Sequence, residues 1–203
     1  MTAPRTLLDM AGARLAPARW QDAVLLLIDH QREYDAGGGL ELHGIAGAKA
    51  GLVRLLAAAR VHQAPVIHVA HHGRSGGGLF DPEGAMSAFM PEAAPVDGEV
   101  VVIKALPNAF SGTSLQEALT AAGRKEIIVA GFMTHMCVSS TVRAFADRGY
   151  RPPTVVAGAC ATRALPDGCQ GPGIPADVVH QVALSELADR FAVVVTSVEE
   201  IGD

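Results

Sequence analysis

A carboxylate, an ammonium and a thiol each stand at or just past the end of a short apolar run in this sequence of 203 residues. The run VLLLID ends at Asp29 and VVVIK ends at Lys104, while the run through Ile127, Ile128 and Val129 leads into AGFMTHMCVSST, which carries Cys137. A thiol becomes a nucleophile when its proton is taken, and one carboxylate can take that proton and later give it to a leaving amine. An ammonium nearby would hold the thiolate and keep the carboxylate charged. Cys137 also falls where the pattern predicts the first turn of a helix, whose macrodipole favours negative charge and lowers a thiol's pKa. The amides that open such a helix could stabilise a tetrahedral oxyanion. Brought into one crevice, Asp29, Lys104 and Cys137 would outline a cysteine amidase. Each also has a plainer reading: a free cysteine is an ordinary small hydrophobe, an aspartate can cap a helix, and Lys104 can point into water.

The elements that must position these groups are legible as alternating patterns. Apolar runs at 23–28, 65–70, 100–103, 125–130, 154–157 and 191–196 lack polar alternation, the signature of strands covered on both faces of a parallel sheet. Helical patterns occupy 45–62, 114–122, 138–148 and 176–189 between them. This repetition predicts an α/β fold: a doubly wound, three-layer α/β/α, Rossmann-like domain on a mostly parallel six-stranded sheet, spanning 23–203 behind an N-terminal arm at 1–22. In such sheets the ligand crevice lies beyond the carboxyl ends of the strands, where the three groups emerge. The Gly/Pro-rich segments at 73–84 and 166–175 read as loops near its mouth. The run RSGGG has neither of the spacings that cradle phosphate.

Composition narrows the function. With 49% hydrophobic and 18% charged residues the chain can bury a substantial core, and a net charge of -5 without a basic cluster argues against nucleic acid. No apolar run approaches the roughly 20 residues that span a bilayer, and the arm lacks a signal-peptide core, so no membrane partner is expected. Three cysteines, Cys137, Cys160 and Cys169, form neither a disulfide framework nor a paired metal spacing, which fits a reducing cytoplasm. The apolar character of the arm and of the helix after Cys137 predicts a homodimer or larger homo-oligomer.

Three blocks give the chain a family resemblance. DHQREY at 29–34, Lys104 with NAFSGTSL at 108–115, and GFMTHMCVSST at 131–141 resemble, in order and spacing, the signature blocks of the isochorismatase-like cysteine hydrolases. The resemblance implies a catalytic triad of Asp29, Lys104 and Cys137, a cis peptide between Phe132 and Met133, and an oxyanion hole from the backbone N–H groups of Met133 and Cys137. It implies a small-molecule substrate and no cofactor. Members that deaminate nicotinamide carry an Asp-x-His metal pair after the second strand; here that region reads HVAHHGRSGGG, with His68, His71 and His72 but no such pair, so no metal is expected. Retention of Cys137 favours hydrolysis of a C–N bond in a small amide or carbamoyl compound through a thioester. Vinyl ether hydrolysis of the isochorismatase type and a non-catalytic, redox-sensing scaffold are the alternatives. Tyr34, Phe80 and Phe110 are candidate substrate-binding residues, since aromatic side chains in Gly-rich or strand-end segments often face ligand. Thr134 and His135 are expected to fix the turn before Cys137, and Gln31 the loop of Asp29. Cys160 and Cys169 match no role in the family.

Overall fold

The computed structural model describes residues 3–169 and 171–203. Its six strands are β1 (Ala23–Ile28), β2 (Val66–His71), β3 (Val100–Lys104), β4 (Glu126–Phe132), β5 (Thr154–Ala161) and β6 (Val193–Val195). The helices are α1 (Leu7–Met10), α2 (Ile45–Val61), α3 (Leu115–Ala122), α4 (Ser139–Asp147) and α5 (Ala176–Arg190). One sheet holds all six strands in the order β3-β2-β1-β4-β5-β6, and every neighbouring pair is parallel. The fold is the doubly wound α/β domain that the alternating runs predict. Strand order reverses between β1 and β4, so the right-handed crossovers on either side place α2 on one face and α4 on the other.

The central strand shows why the sheet is stable. All six residues of β1 are buried, Val24 through Ile28 almost completely, and each such aliphatic side chain contributes about 1.5–3 kcal/mol on leaving water. On α2, Ile45, Ala48, Leu52, Leu55, Leu56 and Ala59 recur at helical spacing and form the face turned to the sheet. Two glycines permit close approaches. A Cβ on Gly51 of α2 would lie 2.2 Å from the carbonyl oxygen of Gly158 in β5, and one on Gly131, at φ +125°, would lie 2.0 Å from that of Ile28. Gly131 therefore lets β4 pass beside the last residue of β1, one position before Asp29.

One expectation about the strands is corrected. The run at 100–103 reads as covered on both faces, yet β3 is an edge strand in which Val100, Val101 and Ile103 are exposed. Its place in the sheet order, not its composition, decides its burial. The segment before β1 lies along the domain: the N–H of Leu7 donates to Asp189 Oδ1 at 2.8 Å, Arg19 pairs with Gly202, and buried Trp20 stacks on His62. Among the described residues no helix is long and apolar enough to cross a membrane.

Candidate active site

At the switch point between β1 and β4, the ends of three strands deliver the three reactive groups to one place. Asp29 follows β1 at φ +52°, in the left-handed region that aspartate tolerates better than most residues. Its N–H donates to the Val69 carbonyl at 2.8 Å and its own carbonyl accepts from the Gln31 N–H at 2.8 Å, which fix the turn. Lys104 ends β3, and its ammonium lies 2.6 Å from Asp29 Oδ2 and 3.2 Å from Cys137 Sγ. The side chains of Asp29 and Lys104 are fully excluded from solvent, and Cys137 is 5% exposed. Asp29 Oδ1, also buried, has no hydrogen-bond partner.

Cys137 lies in a π-helical turn that precedes α4, and not in the first turn of the helix itself. The chain leaves β4 through a cis peptide between Phe132 and Met133, then makes one π-helical turn over Thr134–Val138 before α4 begins. Side chains pin that turn as expected. The Thr134 hydroxyl bonds to the Ala161 carbonyl at 3.0 Å and lies 2.9 Å from His180 Nδ1, while His135 Nδ1 meets the Thr162 hydroxyl.

The electrostatics correct the simplest expectation for the thiol. Burial, seconded by the negative charge of Asp29, pushes Cys137 up to about 12 against the pull of Lys104. Burial likewise raises the Asp29 carboxyl, outweighing the same ammonium. A helix terminus and one cation do not make a resting thiolate here, because a single ammonium in a dry site balances one anion and two would compete for it. Each acid opposes the ionisation of the other, so both are shifted toward their protonated forms. Such a site is built to move a proton between the two groups.

The aromatic candidates separate. Tyr34 and Phe80 are buried and meet edge-on with ring centroids 4.9 Å apart, and Tyr34 also meets Phe132. Burial and the nearby charges of Asp29 and Cys137 raise the Tyr34 phenol, which stays neutral beside the triad. Phe110 belongs elsewhere. Its ring packs on Phe145 and Tyr150 under the guanidinium of Arg148, so its contacts are those of a core residue and not of a pocket wall. Cys160 is buried, lining a separate cavity of about 320 Å³ with His43 and His180, and Cys169 is exposed.

The three histidines near the end of β2 do not converge. His68 faces one side of the sheet, where its Nε2 lies 2.8 Å from Glu99, and His71 faces the other, where its Nδ1 lies 3.3 Å from the Lys104 ammonium. Among the described residues no group of three His, Cys, Asp or Glu side chains could hold a metal ion. Two arrangements have no simple sequence signature. The first is the contact of His71 with Lys104. The second is a buried chain from His30 through His68 and Glu99 to Arg60, signalled only by a histidine inside the otherwise apolar β2.

Comparison with known proteins agrees with this architecture. The family model "Isochorismatase domain" matches residues 23–199. A secreted isochorismatase effector from Verticillium dahliae is 37% identical over 189 residues, covering 93% of this chain and 95% of that protein. The crystal structure of an isochorismatase from Pseudomonas putida superposes with a TM-score of 0.89 at 43% identity, covering 96% of this chain and 97% of the other. That of a cysteine hydrolase from Pseudomonas syringae gives 0.83 at 25% identity, covering 98% and 96%.

Proposed function

The chain belongs to the isochorismatase family of hydrolases, and from its buried triad we propose that it is a cysteine hydrolase that cleaves a C–N bond in a small amide or carbamoyl compound. The observation that carries this reading is the contact of one ammonium with both the Asp29 carboxylate and the Cys137 sulfur. Attack of sulfur on the substrate's carbonyl carbon transfers the thiol proton to Asp29, so the carboxylate's negative charge is neutralised as a new one develops on the substrate oxygen and the total charge is unchanged. The backbone N–H groups of Met133 and Cys137 receive that oxyanion. Collapse breaks the C–N bond, and the amine leaves with the proton from Asp29. Water then gives a proton to Asp29 as it attacks the thioester, and the acid departs as sulfur regains its proton. Tyr34 and Phe80 form the apolar wall against which the acyl group packs.

A relative supports the bond type: a ureidoacrylate amidohydrolase from Variovorax paradoxus is 26% identical over 156 residues, 60% of this chain and 62% of that protein. The thiol pushed up to about 12 disfavours a redox sensor, which depends on a low-pKa thiolate. Vinyl ether cleavage gives Cys137 and its contact with Lys104 no covalent task. Intact-mass spectrometry across a panel of small amides is the test. The thioester adduct is expected in the native protein, and Cys137→Ala should lose the adduct and about 10³-fold or more of turnover. Turnover retained by that variant removes the assignment.

The same proposal places the enzyme in the cytoplasm, on the strength of its free thiols, and in a homodimer or larger assembly. The exposed Val100, Val101 and Ile103 on the β3 edge add to the sequence argument for assembly, since an apolar edge strand is ordinarily covered or charged. Light scattering at micromolar concentration should return at least twice the chain mass, and a single-chain mass would reject the assembly.

A further inference from the structure

We propose that His71 is a positioning residue for Lys104: its Nδ1 is the third acceptor of the ammonium and keeps the other two N–H groups on Asp29 and Cys137. The inference rests on the role given to Lys104 above. An ammonium has three donors, and Lys104 Nζ has three acceptors around it: Asp29 Oδ2 at 2.6 Å, Cys137 Sγ at 3.2 Å and His71 Nδ1 at 3.3 Å. A lysine head on four rotatable bonds is otherwise free to choose among orientations, and Lys104 extends from an edge strand. Losing one acceptor in a dry site leaves an N–H unsatisfied, which destabilises the charged form and weakens its hold on the sulfur.

The fold brings His71 to this position by register. His71 and Lys104 are paired residues of the parallel β2–β3 ladder, so both side chains project on the same face. Gln31 locks the backbone that carries the ring. Its Oε1 accepts from the His71 N–H at 2.7 Å, and its Nε2 donates to the His71 carbonyl at 2.9 Å and to that of Ser87 at 2.6 Å. Gln31 is two residues from Asp29, so one amide ties the base's turn to the ammonium's third partner. The ring rests edge-on against Phe80, with centroids 5.2 Å apart.

The protonation state suits an acceptor. Burial and the Lys104 charge, with a smaller contribution from His72, lower His71 to about 4, so at neutral pH the imidazole has a lone pair on Nδ1 and its proton on Nε2. The titratable or charged groups around the ammonium and ring are Asp29, Cys137, Tyr34 and His72. A protonated His71 would put two cations side by side, so acid conditions should release Lys104 from this contact.

The test is the pH dependence of iodoacetamide alkylation at Cys137, read by peptide mass spectrometry in full-length protein carrying Cys169→Ser. His71→Phe keeps a ring against Phe80 and removes the acceptor, and His71→Leu serves if the larger ring disturbs the fold. Their profiles should move to higher pH by about one unit, which is about 10-fold slower modification at fixed pH. In His71→Asn, Oδ1 stands near the place of Nδ1 and should return the rate to within about twofold of the parent, a rescue that a purely steric role would not give. A folded His71→Phe or His71→Leu protein with the parent's profile overturns the inference, as does failure of the folded Asn variant to restore it. Lys104→Met separates this from the broader reading. A profile shifted by Lys104→Met but not by the His71 variants rejects His71 alone, and one that Lys104→Met leaves in place rejects the role of the ammonium itself.

Discussion

Asp29 and His30 are consecutive residues, both completely buried, and each starts a polar cluster on its own face of the sheet. The two clusters are finished in opposite ways. On the Asp29 face, two acidic groups share one ammonium, Asp29 Oδ1 has no partner, and both acids are shifted toward their protonated forms. On the His30 face, where His30 Nδ1 is likewise without a hydrogen-bond partner, a chain of side chains carries the polarity outward to a paired charge. His30 Nε2 lies 3.0 Å from His68 Nδ1, His68 Nε2 lies 2.8 Å from Glu99 Oε2, and Arg60 holds both oxygens of Glu99 at 2.8 and 2.9 Å. The carboxylate at the end sets the tautomers: His68 donates from Nε2 to Glu99, so its Nδ1 accepts from His30, whose Nε2–H is shared with the Ala93 carbonyl at 3.2 Å. Burial alone does not make a polar group reactive. What separates the clusters is whether the last charge reaches a partner of its own, as Glu99 does with Arg60 at the rim, or stays short of one in the interior.

The comparison breaks most visibly if the triad turns out to hold the fold together. Replacing both charges, Asp29→Asn with Lys104→Met, removes the base and the ammonium while keeping side-chain volume and a residue type that tolerates the left-handed backbone at position 29. Thioester formation and turnover should fall by about 10³-fold or more. Unfolding free energy should stay level or rise by about 1–4 kcal/mol, because a buried ion pair replaced by neutral groups loses its desolvation cost along with its attraction. Urea denaturation checks this, and a loss of several kcal/mol in the double variant would make the triad a structural cluster like its neighbour.

How much of this was legible in the sequence depended on how local each cause is. The run VLLLI needs no partner to declare itself a buried strand, and the helical spacing from Ile45 to Ala59 declares its own face. Asp29, Lys104 and Cys137 could be found because each follows such a run, and parallel strands bring their carboxyl ends to one side. The protonation of Cys137 could not be read that way, since it turns on the depth of the site and on the charge of a residue 108 positions earlier (137 − 29), known only once β1 and β4 are paired. His71 was one of three nearby histidines until the β2–β3 register put it opposite Lys104. Phe110 misled because an aromatic residue in a loop carries no direction, and its ring went to Phe145 and Tyr150. The exposure of β3 likewise follows from its place at the sheet edge.

The relay on the other face should answer to pH and mutation with stability where the triad answers with chemistry. Glu99 is held at about 2 despite its burial, by its bonds to Arg60, to the Val96 N–H and to His68. Its folded value lies below the ordinary 4.5, so its contribution, roughly 3 kcal/mol, is complete above pH 4.5 and disappears as pH falls toward 2. Glu99→Ala should lose about that much at neutral pH and leave the alkylation profile of Cys137 unchanged. His30 acts earlier in an acid titration. Burial, with the neighbouring His68, lowers it from 6.5 to about 3, so the folded ring stays neutral while the unfolded one takes a proton; the stability it confers is full above 6.5 and declines below it. By pH 5 the decline amounts to roughly 2 kcal/mol from this residue. Asp29 runs the other way, because its folded value is raised and acid relieves its burial, but His71 beside it, lowered to about 4, loses stability in this range as His30 does, so only a His30 variant separates the two faces. Urea unfolding at pH 8, 6.5 and 5, compared with His30→Phe, isolates the effect: the variant should be flatter between 6.5 and 5 by the slope of one proton. Parallel curves for the two proteins would mean that His30 titrates alike folded and unfolded, and the contrast between the two faces would then rest on Glu99 alone.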